Sequence, residues 1–215
     1  MADIAVSVQH VFKEFRGDQI LRDVHRDFES AKIHGIIGNN GSGKTVLFKC
    51  ICGFLPVTRG KILVDYEQVG RDTDFPDDIG IIIETPGFLP QYSAMRNLEL
   101  LASLRRRANR AKVAQTIRRV GLDPESRKPV SKFSLGMRQR LGIAQAILED
   151  PRLLILDEPM NGLDKHGVAE IRQLLKELRG EGKTILLASH NAADIDELCD
   201  TVCEVDAGVL RMVRE

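Results

Sequence analysis

Apolar and polar residues alternate at the start of the chain (Ile4, Val6, Val8, then Val24 and Phe28), and the run IHGIIG closes this stretch before a glycine-rich segment. A period of two predicts half-buried strands that lead into a glycine-rich turn. A helix is predicted from Lys44 to Gly53, then strands over Lys61–Tyr66 and Ile79–Ile83, parted by a polar turn at Asp72–Asp78. From Met95 to about Ile147 the period becomes helical, with Leu98, Leu101 and Leu104 in one stretch and Val113, Ile117 and Val120 in the next. This predicts an inserted helical lobe.

Beyond it come RLLILDEP as a strand, HGVAEIRQLLKELRG as an amphipathic helix ending at Gly180, and KTILLAS as a strand. A helix over Ala192–Cys199 and a last strand pair near Thr201–Val213 follow. Strands that alternate with helices, and are apolar without alternating, predict an α/β fold with a parallel sheet covered on both faces. The 215 residues suffice for one domain with its own core. Its core lobe is expected over residues 1–94 and 148–215, and its helical lobe over about 95–147.

Composition narrows the partners. Lys plus Arg number 31 and Asp plus Glu number 31, so bulk charge gives no reason to expect nucleic acid. The longest apolar runs, such as Leu153–Leu156 and Ile185–Ala188, fall far short of the roughly 20 residues that span a bilayer. The start, MADIAVSVQH, has no basic flank before an apolar run, which reads as a chain without a secretory signal, placed in the cytosol. The cysteines are Cys50, Cys52, Cys199 and Cys203, the last two at helical i, i+4 spacing at a helix end. Buried free thiols are expected, against a four-cysteine metal site that would lack the usual CxxC pairs.

Residues Gly38, Asn39, Asn40, Gly41, Ser42, Gly43, Lys44 and Thr45 read GNNGSGKT, which satisfies GxxxxGK[ST] between an apolar strand and a helix that continues with Val46. Glycines allow backbone N–H groups to converge on phosphate oxygens, and the helix offers its positive end to the same anion. Lys44 then supplies a charge to the β- and γ-phosphates, and Thr45 a hydroxyl to Mg²⁺. The plainer alternative is a glycine turn that caps a helix.

RLLILDEP sets Asp157 and Glu158 at the carboxyl end of a strand, where open α/β sheets bind ligands. Asp157 is expected to hold Mg²⁺, directly or through water. Glu158 is expected to polarise the water that attacks the γ-phosphate, a role that contributes about 10²- to 10⁴-fold in rate. A solvated strand end is the alternative.

Between these two sites lies FSLGMRQRLGIAQAIL, residues 133–148. Here the chain resembles the ABC (ATP-binding cassette) ATPases, whose signature reads LSGGQ followed by Gln-Arg. Ser134, Gly136, Gln139 and Arg140 match it. The NGLD segment ending at Asp164 resembles the family's D-loop. His190 in LLASHN, 32 residues after Glu158, resembles its switch histidine. Phe15 aligns with the aromatic that stacks on adenine, although Phe12 offers a similar ring and either suits a core. The resemblance runs through the whole chain and implies a P-loop NTPase fold: a mainly parallel core sheet, an N-terminal antiparallel β subdomain and an inserted helical subdomain. It also implies ATP and Mg²⁺ as cofactors, and sites completed in a head-to-tail dimer where Ser134 faces the γ-phosphate on the other protomer. An integral membrane permease is the expected partner, with this chain peripheral on the inner face of the membrane.

The departures are informative. Glu84, in IIIETPGFLP, stands where the family has glutamine; it can still ligate Mg²⁺ or orient water, or it simply ends a strand. Leu135 replaces a signature glycine and Met137 a glutamine. ETPGFLP together with SLGMRQRL is similar to the ATPases of bacitracin and lantibiotic export, which implies a peptide antibiotic or similar amphiphile as cargo. Arg105, Arg106, Arg107, Arg110, Lys112, Arg118 and Arg119 make the helical lobe basic. They form either a solvated face or a contact with acidic coupling helices or lipid head groups. Other readings are a soluble ABC ATPase of nucleic-acid or translation processes and a P-loop kinase.

Overall fold

The computed structural model describes residues 3–84, 87–105 and 108–215; Thr85, Pro86, Arg106 and Arg107 of the motifs above lie outside the described residues. The alternating N-terminal segment folds into β1 (Ile4–Phe15) and β2 (Asp18–Glu29), an antiparallel pair joined by β4 (Arg59–Val64) and the short β5 (Glu67–Gln68) in the order β2-β1-β4-β5. The predicted strand Lys61–Tyr66 ends at Val64 because Asp65 and Tyr66 turn the chain through positive φ.

The second sheet has the order β10-β9-β3-β8-β7-β6. It comprises β3 (Ile33–Ile37), β6 (Ile79–Ile82), β7 (Leu153–Asp157), β8 (Thr184–Ala188), β9 (Thr201–Asp206) and β10 (Val209–Arg214). Its pairings are parallel apart from the β9–β10 hairpin at one edge. Successive residues on a strand face opposite ways, and the core divides accordingly. Leu154, Leu156, Ile185 and Leu187 pack into one apolar cluster with the helices, while Leu153, Ile155, Leu186 and Ala188 pack into another with β1, β2 and α1. The sheet is thus covered on both faces, by helices on one side and by the antiparallel sheet with α1 (Lys44–Ile51) on the other.

The helices follow from local pattern. In α5 (Lys165–Gly180), Ile171, Leu174, Leu175 and Leu178 are buried at i, i+3, i+4 and i+7, the stripe of a surface helix. Asp164 caps it, its Oδ1 accepting the Gly167 N–H at 2.7 Å. The stretch between β6 and β7 carries α2 (Ala94–Arg105), α3 (Arg110–Arg119) and α4 (Leu135–Ile147). Much of its basic surface is already paired: Arg105 with Glu149, Arg110 with Glu99 and Arg119 with Glu181.

Cys199 stands just past the end of α6 (Ala192–Leu198) and Cys203 lies in β9, the strand after it, in line with the helix and strand expected there. Asp200 breaks the helix: its N–H donates to the Ile33 carbonyl and its Oδ2 accepts the Ile33 N–H, both at 2.8 Å, turning the chain into the sheet. All four cysteines are buried and free, and among the described residues no cluster of three or more His, Cys, Asp or Glu could hold a metal ion. Among the described residues no helix is long and apolar enough to cross a membrane.

Candidate nucleotide site

The apolar strand β3 runs into the glycine loop, and the loop into α1. Gly38, Gly41 and Gly43 have φ of 144°, 79° and 115°, conformations that side chains with a Cβ rarely adopt. At Gly38 space forbids a side chain as well, since a Cβ would stand 2.2 Å from the Val205 carbonyl oxygen. Gly43 caps α1 without any side-chain bond, so the first N–H groups of that helix are left to an incoming anion. The Ser42 hydroxyl, within the same loop, is buried with no partner, as expected of a polar atom that awaits one. Lys44 is buried across the loop, donating from Nζ to the carbonyls of Gly38 at 2.6 Å and Asn39 at 3.1 Å.

Two strands away, β7 delivers its carboxylates to the same place. Thr45 Oγ1 donates to Asp157 Oδ2 at 2.7 Å. A hydroxyl and a carboxylate so close, beside a phosphate cradle, form the hard oxygen set that Mg²⁺ takes from protein while phosphate and water complete the octahedron. Glu158 follows with φ of 52°, a backbone state that costs about 1–3 kcal/mol unless its surroundings impose it. Those surroundings are its N–H to Ala188 O at 2.9 Å and its carbonyl to Asn161 N–H at 3.1 Å and Gln139 Nε2 at 3.2 Å. The carboxylate meets His190, whose Nδ1 donates to Oε2 at 2.8 Å.

Most of these groups line a cleft of about 880 Å³. Phe15, residues 40–46, Glu84, Asp157 and Glu158 all border it. Phe15 is 40% exposed with Lys13 Nζ 4.6 Å from its ring centre, whereas Phe12 packs under Arg59 and does not line the cleft. Glu84 forms an ion pair with Lys49 at 2.5 Å. Gly38, Asn39 and His190 instead border a neighbouring cavity of about 580 Å³. Ser134 caps α4 by accepting the Met137 N–H at 3.2 Å, and neither it nor Gly136 lines the cleft of its own chain. Asp164 is occupied as the cap of α5.

Sequence reasoning gave several lining residues no place in this cleft. Leu135, Arg138 and Gln139 reach the cleft from α4, and Asn161 and Gly162 from the loop after β7. Leu135 packs on Gly162, where a Cβ would meet its side chain at 2.5 Å. The signature match pointed to this helix, but only the fold sets it against the loop after β7.

The chain matches the ABC transporter family over residues 21–161. It is 41% identical to an uncharacterised ABC transporter ATP-binding protein, YybJ of Bacillus subtilis (strain 168), over 95% of this chain and 94% of that protein. It is 36% identical to the bacitracin transport ATP-binding protein BcrA of Enterococcus faecalis, over 97% and 69% respectively. Among solved structures it is similar in fold to the ATP-binding cassette MJ0796 in a dimeric state bound to ADP and phosphate, with a TM-score of 0.88 at 22% identity over 97% of this chain and 98% of that one.

Proposed function

This chain belongs to the ABC transporter family as an ATP-binding, ATP-hydrolysing subunit, and from that premise we propose that it powers a separate membrane permease that exports a peptide antibiotic or similar amphiphile. The bacitracin relative and the ETPGFLP and SLGMRQRL segments support that cargo class. We assign residues 1–215 to one nucleotide-binding domain, held to the inner face of the cell membrane by its partner.

The observation that carries the proposal is the convergence on one cleft of the uncapped N-terminus of α1, the Thr45–Asp157 pair and the strained Glu158. Residues 38–46 bind the phosphates through backbone N–H groups, and Lys44 moves its charge from the loop carbonyls to the β- and γ-phosphates. Phe15 stacks on the base. Thr45 and Asp157 hold Mg²⁺, with Glu84 within the same cleft as a further oxygen donor. The ion neutralises phosphate charge when bound. Glu158 orients the attacking water and takes its proton, while His190 steadies that carboxylate and contacts the γ-phosphate.

Ser134 and Gly136 do not line their own chain's cleft, which fits a role at the site of a second copy, reached head to tail. Gly162 and Leu163, in the loop before Asp164, sit beside Gly136, and with Asp164 they belong to the same interface. The permease side is the groove of about 350 Å³ between the lobes, where Phe54, Phe75 and Leu104 remain exposed. Steady-state hydrolysis tests the assignment. Lys44→Met should abolish ATP binding, and Glu158→Gln should bind Mg-ATP normally but hydrolyse it at least 10²-fold more slowly. Undiminished turnover by Glu158→Gln would end this reading.

A further inference from the structure

Gln139 and Arg140 follow the signature serine on α4, and the roles above leave them unused. Gln139 is 9% exposed, and its amide is aimed at the Glu158 carbonyl at 3.2 Å. A carbonyl oxygen only accepts, so the amide nitrogen must face it. The other two bonds to the Glu158 backbone come from Ala188 and Asn161, both in the core lobe. Gln139 is therefore a contact from the helical stretch onto a cleft residue that is both strained and charged.

Its neighbour fixes the helix that presents it. Arg140, with a side chain only 14% exposed, donates from Nη1 to the Val120 carbonyl at 2.7 Å and from Nη2 to Glu170 of α5 at 2.5 Å. Adjacent residues on a helix point about 100° apart, so the two side chains grip α4 from two directions and set its roll. A rotation of α4 then cannot occur without moving the Glu158 carbonyl or breaking its bond to Gln139.

We propose that Gln139 is a positioning residue for hydrolysis, which holds the Glu158 backbone in its left-handed state and so makes the aim of that carboxylate depend on the orientation of the helical lobe. The proposal rests on Glu158 as the general base. It places the control of turnover at an amide bonded to the backbone of the base rather than to its carboxylate.

The test uses the full chain carrying Gln139→Met, which keeps side-chain length without the donor, and Gln139→Glu, which keeps the shape but turns a lone pair toward the carbonyl. The expected result is a fall in kcat of about tenfold, the equivalent of one hydrogen bond, with the KM for ATP within about twofold of wild type. In the Glu158→Gln background, single-turnover hydrolysis should show no further loss from either substitution, because the two residues act as a unit. Unchanged kcat in both variants, a rise in KM alone, or the same tenfold loss in both backgrounds would overturn the proposal. Wild-type turnover by Glu158→Gln alone would instead sink the assignment of the base.

Discussion

The loop that carries His190 hangs on one buried carboxylate. Asp194 is 2% exposed and accepts from the Arg172 guanidinium, with Nε at 2.9 Å, and from Ser189 Oγ at 3.0 Å. Ser189 Oγ in turn accepts the Asn191 N–H at 3.1 Å, and Asn191 caps α6. Burial draws the Arg172 pKa down, but Asp194 and Glu197 outweigh it and hold the guanidinium above its ordinary value. Breaking such a pair by removing one partner costs about 3–5 kcal/mol, chiefly for the charge left behind. In Asp194→Ala that charge is Arg172, which keeps the half-exposed Glu197, so the loss belongs at the low end, about 3 kcal/mol. In Arg172→Met the stranded charge is Asp194, left with a hydroxyl, and the loss belongs near 5 kcal/mol. At about 2–4 °C per kcal/mol for a chain of this size, thermal scanning should give a drop of about 6–12 °C for Asp194→Ala and a larger one for Arg172→Met. A loss under 2 °C for either, or the reverse order, would refute the reasoning.

Gly41→Ala should cost about 1–2 kcal/mol from backbone strain alone, because its Cβ would meet nothing within 4 Å; Gly38→Ala should cost clearly more, since its Cβ must also displace the Val205 carbonyl. Urea midpoints order the two. His34 is buried, with Nε2 donating to Glu29 O and Nδ1 accepting from Thr201 Oγ1, each at 2.8 Å, and burial lowers its pKa below the ordinary 6.5. The unfolded chain then binds the proton first, so stability is full above pH 6.5 and falls as pH drops below it. His34→Gln should flatten that part of the profile. Burial raises the Cys50 thiol to about 11 and those of Cys52 and Cys199 to about 12. A thiol reagent at pH 8 should therefore leave the native protein almost unlabelled and modify all four cysteines in denaturant.

The local structure of the candidate site was legible wherever its residues lie close in sequence. GNNGSGKT and LDEP each sit at the end of an apolar strand, as their spacing predicted. What escaped was contact across the fold. No pattern along the chain places His190 on the Glu158 carboxylate or Gln139 under its carbonyl. The helix that ends near Cys199 and the strand that takes Cys203 were legible, but the Asp200–Ile33 pairing that turns one into the other was not. Phe15 and Phe12 carry the same ring, and the position of the cleft separates them.

In the proposed mechanism one chain carries only half of each hydrolytic site. The direct measurement is the solution mass of Glu158→Gln with and without Mg-ATP, with Ser134→Arg added as a control. The account predicts an ATP-dependent doubling of the 24.0 kDa chain that Ser134→Arg abolishes. A protein that binds Mg-ATP yet stays monomeric, or a dimer indifferent to Ser134→Arg, would contradict it.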